Sequence, residues 1–328
     1  MKRLHVISGK SELKPNYFSI STDSTTLISN AHSLDNGEGR YAKVNFWDLS
    51  TGNLIRTIDF LHDRIGVGCY ERWLIGIVSN ANVVMTFNLE TEEFNLILDA
   101  APSRCLSYLE NNVTPVAISP FEPIIVCGDF VYRAPETGNV AVYNLLAKPI
   151  SKEKGVVRLP IQSFRWQPEK YPSCNLSVLI SPDSNILLSQ AVSIRYGFHR
   201  LWDLQTGKLI RTFANSSSGI AECLAVKNLG KVLACGWRSQ QVQVWDVHTN
   251  NVICSVDGHL PIAMSIDGRF LVNCYDEKKI ILQNIENNEH LCTLDESSAK
   301  IELIALSPNG KWLASYNQDQ TIEIWRVF

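Results

Sequence analysis

The sequence predicts an all-β protein assembled from a repeated four-strand unit. Three observations predict it. A self-similar segment returns about every 40 residues, apolar and polar residues alternate with period two ahead of each copy, and no stretch carries the 3.6-residue apolar period of a helix. With 45% hydrophobic and 19% charged residues in a chain of 328, the composition is that of a chain able to bury a core, which excludes a disordered polypeptide. Against 33 acidic residues stand 30 basic ones, for a net charge of -3. No global basic field is therefore available to nucleic acid or an anionic membrane, and any such site would have to be local.

The repeat is clearest in Phe46-Trp47-Asp48-Leu49-Ser50-Thr51-Gly52, Leu201-Trp202-Asp203-Leu204-Gln205-Thr206-Gly207 and Val244-Trp245-Asp246-Val247-His248-Thr249-Asn250. Weaker copies stand at Phe87-Asn88-Leu89, Tyr143-Asn144-Leu145, Gln283-Asn284-Ile285 and Trp325-Arg326-Val327, so that successive frames lie 40, 56, 59, 43, 38 and 42 residues apart. Each frame ends an alternating run, such as Val242 and Val244 against Gln241 and Gln243, and reads as a third strand. Two shorter strands precede it, joined by turns such as Ser181-Pro182-Asp183-Ser184, Ser265-Ile266-Asp267-Gly268 and Ser307-Pro308-Asn309-Gly310. Proline presets φ there, and Asp, Asn or Gly accepts the corner. A further turn and a fourth strand follow, as at residues 208–213. Four antiparallel strands per repeat make one propeller blade. Seven frames predict a seven-bladed β-propeller, with six or eight blades as the alternatives. At the N-terminus His5 and Ile7 alternate with Leu4 and Val6, and Phe328 follows directly on a third strand. Residues 2–8 are therefore expected to pair with the last blade as its outer strand and close the ring, which makes residues 1–328 a single domain.

The dipeptides Trp47-Asp48, Trp202-Asp203 and Trp245-Asp246, with Gly258-His259, resemble the signatures of the WD-repeat β-propeller family, and the repeats cover nearly the whole chain. That resemblance implies a stabilising tetrad: a His before the first strand, a Ser or Thr in the second, an Asp in the next turn and the Trp of the third. No repeat holds all four. The last has Ser315, Asp319 and Trp325, while the sixth has His259 and Asp276 but Gln283 in place of Trp.

Met1 to Ser8 reaches a glycine before any apolar run forms, which excludes a signal peptide, and nowhere are there about 18 consecutive apolar residues. A soluble, cytoplasmic protein is expected. Its nine cysteines lie singly between Cys69 and Cys292 and read as buried free thiols. Gly66-Val67-Gly68 opens no nucleotide-binding helix, and there is no Walker loop, no nucleophile elbow and no Cys-x-x-Cys. The histidines scatter, His62 and His259 in loops between blades and His5, His199, His248 and His290 on strands or turns. No catalytic residue, metal ligand or cofactor is assigned. Trp47, Trp202, Trp245 and Trp325 are expected to pack between blades, and Asp48, Asp203 and Asp246 to serve as turn residues.

The chemistry is expected in the loops at the end of each blade where the second strand meets the third, called here the top. The second-to-third-strand segments 31–42, 129–138 and 190–198 and the crossovers 99–114 and 159–175 are long. They carry Arg40-Tyr41, Tyr132-Arg133, Arg165-Trp166 and Arg195-Tyr196, with Trp237-Arg238 in the fifth repeat. Arg, Tyr and Trp dominate binding hot spots because they join large area to directional donors. The sequence thus predicts a non-enzymatic scaffold whose top face binds a protein or peptide, with acidic or phosphorylated groups suited to the arginines. The alternative is nucleic acid or anionic lipid held by the same arginines. A propeller hydrolase or lyase ranks third, since no cluster of His, Asp or Glu marks the channel.

Overall fold

The computed structural model describes residues 2–8, 15, 18–32, 42–60, 69–70, 73–78, 83–89, 91–92, 94–99, 116–118, 124–129, 138–144, 150–152, 155–157, 162–166, 175–192, 197–214, 220–227, 231–238, 241–294, 297 and 299–328. All regular structure among these is β, and no described helix is long and apolar enough to cross a membrane.

The strands form antiparallel sheets, in chain order as follows. The first holds β2 (Phe18–Ile20), β3 (Thr26–His32), β4 (Ala42–Asp48) and β5 (Leu54–Phe60). The second holds β6 (Cys69–Tyr70), β7 (Trp73–Val78), β8 (Val83–Asn88) and β9 (Phe94–Asp99). The third is made of β10 (Val116–Ile118), β11 (Ile124–Asp129), β12 (Gly138–Asn144) and β15 (Gln162–Trp166), with a separate hairpin of β13 (Ile150–Lys152) and β14 (Gly155–Val157). The fourth contains β16 (Asn175–Ile180), β17 (Ile186–Val192), β18 (Gly197–Asp203) and β19 (Leu209–Ala214). The fifth contains β20 (Ile220–Lys227), β21 (Lys231–Arg238), β22 (Gln241–Asp246) and β23 (Val252–Asp257), and the sixth β24 (His259–Met264), β25 (Phe270–Cys274), β26 (Ile280–Asn284) and β27 (Glu289–Leu294). The last sheet runs β28 (Ile301–Leu306), β29 (Trp312–Asn317), β30 (Thr321–Arg326) and then β1 (Lys2–Ser8), which pairs antiparallel with β30 from Lys2 opposite Arg326 to Ser8 opposite Thr321.

Local chemistry explains the repetition. In the turn between first and second strands, the hydroxyl of Ser21, Ser181, Ser265 or Ser307 donates to the Asp or Asn two residues on, at 2.5, 2.5, 2.6 and 2.8 Å. The same hydroxyl accepts the N–H five residues on, from Thr26, Ile186, Phe270 or Trp312. The fourth turn residue is left-handed each time: Ser24, Ser184, Gly268 and Gly310 have φ of 60, 57, 66 and 69°. In the turn after the third strand, the position four beyond the Asp or Asn is left-handed too, at Gly52, Glu92, Gly207, Asn250 and Asn288. The two turns of a sheet are tied by Leu49 N–H to Thr25 O, Leu204 to Asn185, Ile285 to Arg269 and Val327 to Lys311. Each bond satisfies backbone groups that a turn would leave unpaired.

The chain divides into two compact units. One, Met1–His62 with Ser217–Phe328, contains the first, fifth, sixth and last sheets. Alternation puts opposite faces of each strand into different cores. Leu313 and Trp325 of the last sheet pack with Val272, Cys274, Ile280 and Leu282 of the sixth. Ala314, Tyr316, Ile322 and Ile324 pack instead with Ile20, Leu27 and Leu49 of the first, where Ile7 and Trp47 join them. Val242, Val244 and Val256 of the fifth meet Met264 and Leu271 of the sixth. Each buried aliphatic side chain contributes roughly 1.5–3 kcal/mol. The other unit, Asp63–Ser216, holds the remaining sheets, and in it Val126 packs with Val178, Ile180, Leu187, Trp202 and Leu204.

One expectation is corrected here. Residues 159–175 are not simply a crossover between blades. The outer strand of the third sheet is Gln162–Trp166, and the extra length between third and fourth strands folds as the β13–β14 hairpin, against β9. The ladder from Gly138 opposite Trp166 to Val142 opposite Gln162 is what puts 162–166 at the sheet edge.

Candidate functional site

The turn that follows the third strand is where the Trp-Asp signature resides, and its Asp is committed to the backbone. Asp48 Oδ1 accepts from Ser50 N–H at 2.9 Å, Ser50 Oγ at 2.6 Å and Thr51 N–H at 2.8 Å. Asp203 accepts from Thr206 N–H at 2.7 Å, and Asp246 from His248 and Thr249 N–H at 2.8 and 3.0 Å. Asn88 and Asn284 do the same in the weaker repeats. The Ser50 bonds hold Asp48 below the ordinary carboxylate value, and the Thr206 N–H does so for Asp203. These groups are turn residues, as expected, and this end of the sheets spends its polar side chains on its own backbone.

The indoles are structural as well. Trp47 Nε1 donates to Ser29 Oγ at 3.1 Å and Trp202 Nε1 to Ser189 Oγ at 2.9 Å, both ties from third strand to second. The residual tetrads of the sixth and last repeats do not assemble. The Ser315 hydroxyl has no hydrogen-bond partner among the described residues, and Asp319 accepts from Thr321 within its own turn. His259 is the first residue of a strand rather than a loop residue, and its Nδ1 lies 2.6 Å from Leu260 O.

At the top end the best described surface belongs to the sixth and last sheets. His259 pairs with Cys274 and Ile262 with Asn273, so Leu260 and Pro261 bulge from the sheet. Leu260 is 43% exposed, and Tyr275, just past the end of β25, is 53% exposed. The turn beneath Tyr275 is rigidly bonded. Asp276 Oδ1 accepts the N–H of Lys278 and Lys279, both at 2.9 Å, and the Lys278 bond foremost lowers its pKa. Lys300 Nζ donates to Glu277 Oε1 at 2.6 Å, which depresses the Glu277 carboxyl and raises the Lys300 ammonium, while Ile301 N–H bonds Glu277 O. Sequence reasoning passed over this surface because it is short and holds no arginine; its signal was a Tyr followed directly by two acidic and two basic residues at 276–279.

Of the ten residues expected to bind, Arg40, Tyr41, Tyr132, Arg133, Arg195 and Tyr196 lie outside the described residues. Arg165 and Trp166 end the outer strand of the third sheet, opposite Asn139 and Gly138. Trp237 and Arg238 end the second strand of the fifth sheet, opposite Val242 and Gln241. Each pair therefore stands at the top end of its own sheet, on a strand terminus rather than in a loop. Among the described residues no three His, Cys, Asp or Glu come together in a way that could hold a metal ion.

Residues 288–326 match the family model for the WD domain, G-beta repeat. The chain is similar to Pre-mRNA-processing factor 17 of Homo sapiens, 25% identical over 146 residues, which are 42% of this chain and 25% of that protein. It is similar to the WD repeat-containing protein WDS homolog of Arabidopsis thaliana, 25% identical over 134 residues, 38% of this chain and 25% of that one. A third relative is the Target of rapamycin complex subunit wat1 of Schizosaccharomyces pombe, 25% identical over 146 residues, 41% of this chain and 46% of the relative. The chain thus spans a quarter to about a half of the length of these curated relatives.

Proposed function

Starting from its place in the WD-repeat family, we propose that the chain is a non-enzymatic scaffold on which a partner protein or peptide is held. On this reading residues 1–328 form one seven-bladed ring in which the β1–β30 pairing is the closure, and the ring works in the cytoplasm. The partner is engaged on the top face by Arg40, Tyr41, Tyr132, Arg133, Arg165, Trp166, Arg195, Tyr196, Trp237 and Arg238, and it offers carboxylates or phosphates to the arginine forks.

The observation that carries the reading is an exposed leucine and tyrosine, Leu260 and Tyr275, beside a turn braced by Asp276 and by the Lys300–Glu277 pair, as a preorganised anchor requires. The relative named as a complex subunit is in keeping with it.

The test is partner capture from the native host followed by affinity measurement with the purified partner. Replacing Arg133, Arg165, Arg195 and Arg238 together by alanine should cost more than about tenfold in affinity and leave melting unchanged. Lys208→Ala with Lys311→Ala, at the opposite end, should bind normally. Loss of binding in the control pair and not in the arginine set would place the working surface at the wrong end. Binding that collapses with salt and survives on nucleic acid alone would replace the protein partner by a phosphate backbone.

A further inference from the structure

Outer strands β5, β19, β23 and β27 each arrive at their sheet edge through a tight turn from the third strand, so their placement is set covalently. β1 has no such turn. It comes to β30 across more than 300 residues of sequence, and side-chain chemistry must select it.

The selecting group is Glu323. It sits in the middle of β30, its side chain only 1% exposed, and its Oε1 is 3.1 Å from Nη1 of Arg3 on β1. Its Oε2 has no hydrogen-bond partner among the described residues, and neither has the hydroxyl of Ser315 directly across the sheet. In the first sheet the equivalent place, two before the Trp, is Asn45, which is satisfied by the outer-strand hydroxyl of Thr57 at 2.7 Å. In the last sheet the residue opposite Glu323 is Val6, which has nothing to donate. The bond comes from Arg3 instead, seated opposite Trp325 and on the same face. A register shift between Arg3 and His5 also sends His5 to the first sheet. There its Nε2 lies 2.7 Å from Ser50 O, and a Cβ at Gly52 would stand 2.8 Å from its Cγ.

We propose that the edge of β30 is a strand-docking site with a charge requirement: buried Glu323 admits a strand that sets an arginine opposite Trp325 with its guanidinium at the carboxylate, and Lys2–Ser8 is the occupant it selects. A carboxylate this deeply buried is costly when unpaired. A strand slipped by one residue, or one from elsewhere, therefore meets a penalty that the correct strand does not.

The test uses full-length variants and hydrogen exchange of the amides at 2–8 and 321–326. Arg3→Met should speed exchange there by more than about tenfold, because it strands the carboxylate. Arg3→Lys should retain most of the protection. Glu323→Gln should change it by less than about threefold, and the double variant Arg3→Met/Glu323→Gln should return to that level, since no buried charge is then left unpaired. A labelled peptide of residues 1–10 should bind the Arg3→Met chain, and its Arg3→Glu form should not. Double-variant exchange as fast as that of Arg3→Met would overturn the proposal, as would an Arg3→Met chain that protects β1 normally or an Arg3→Glu peptide that binds equally well. Should Arg3→Met not fold, the double variant decides alone: native protection over 2–8 supports the charge key, and its loss overturns it.

Discussion

The Ser50 hydroxyl and then the Thr51 N–H hold the Asp48 carboxyl below its ordinary value, and backbone N–H groups of their own turns do the same foremost for Asp203 and Asp276. At Asp23 burial pushes the carboxyl up, but the bonds from Ser21 and Thr25 more than reverse it. A carboxyl lowered on folding contributes stability that is complete above its unfolded value near about pH 4 and is lost as pH falls through its folded value. Melting temperature should therefore hold from neutral pH down to that range and then drop. The double variant Asp48→Asn/Asp203→Asn keeps the acceptor oxygen, as Asn88 and Asn284 do natively. It should lie within about 0.5 kcal/mol of the parent at neutral pH and show a shallower acid limb in calorimetry; an unchanged limb would mean that these turns do not set acid stability. At the fifth turn position, Gly52→Ala meets both a φ of +71° and the His5 ring. A loss of at least about 1 kcal/mol is expected in urea unfolding. Gly52, Gly207 and Asn250 announce this left-handed corner in the sequence; Glu92, also left-handed at φ 57°, does not, because nothing in a glutamate signals a turn.

At the scale of strands, the third strand of every described sheet but the sixth was legible because a Trp or other aromatic at its end repeats with a polar partner beside it, and the sixth, with Gln283 there, keeps only the polar and aliphatic residues that follow. The second strand's contribution was less so. Ser29 and Ser189 look like ordinary polar positions until the register puts each within reach of an indole. Trp202→Phe removes a buried donor and strands the Ser189 hydroxyl, whereas Trp325→Phe breaks no comparable bond, since Ser315 is not its acceptor. The first should cost about 1 kcal/mol more than the second in chemical denaturation. Equal losses would show that the indole bond adds nothing beyond packing. The outer strand of the third sheet was missed for a related reason: the sequence reads 159–175 as a crossover, and only the pairing of 162–166 with β12 distinguishes the edge strand from the hairpin at 150–157.

For the whole molecule the decisive element is the one farthest from its partner in sequence. The pairing of β1 with β30 was legible from an alternating N-terminus and a chain whose last residues follow a third strand, while the buried ion pair that accompanies it was not, since burial of Glu323 depends on the neighbouring sheets. Deleting residues 1–8 removes the ladder along β30, the contribution of Ile7 to the core between last and first sheets, and the only ion-pair partner described for Glu323. Each loss acts in the same direction. An unpaired β30 edge is also a template for another strand. Calorimetry should show melting lowered by several degrees, on the scale of about 2–4 °C per kcal/mol for a large domain. Light scattering should show association that grows with protein concentration. A truncated chain that melts as the parent does and stays monomeric would mean that the first strand decorates the last sheet without holding it.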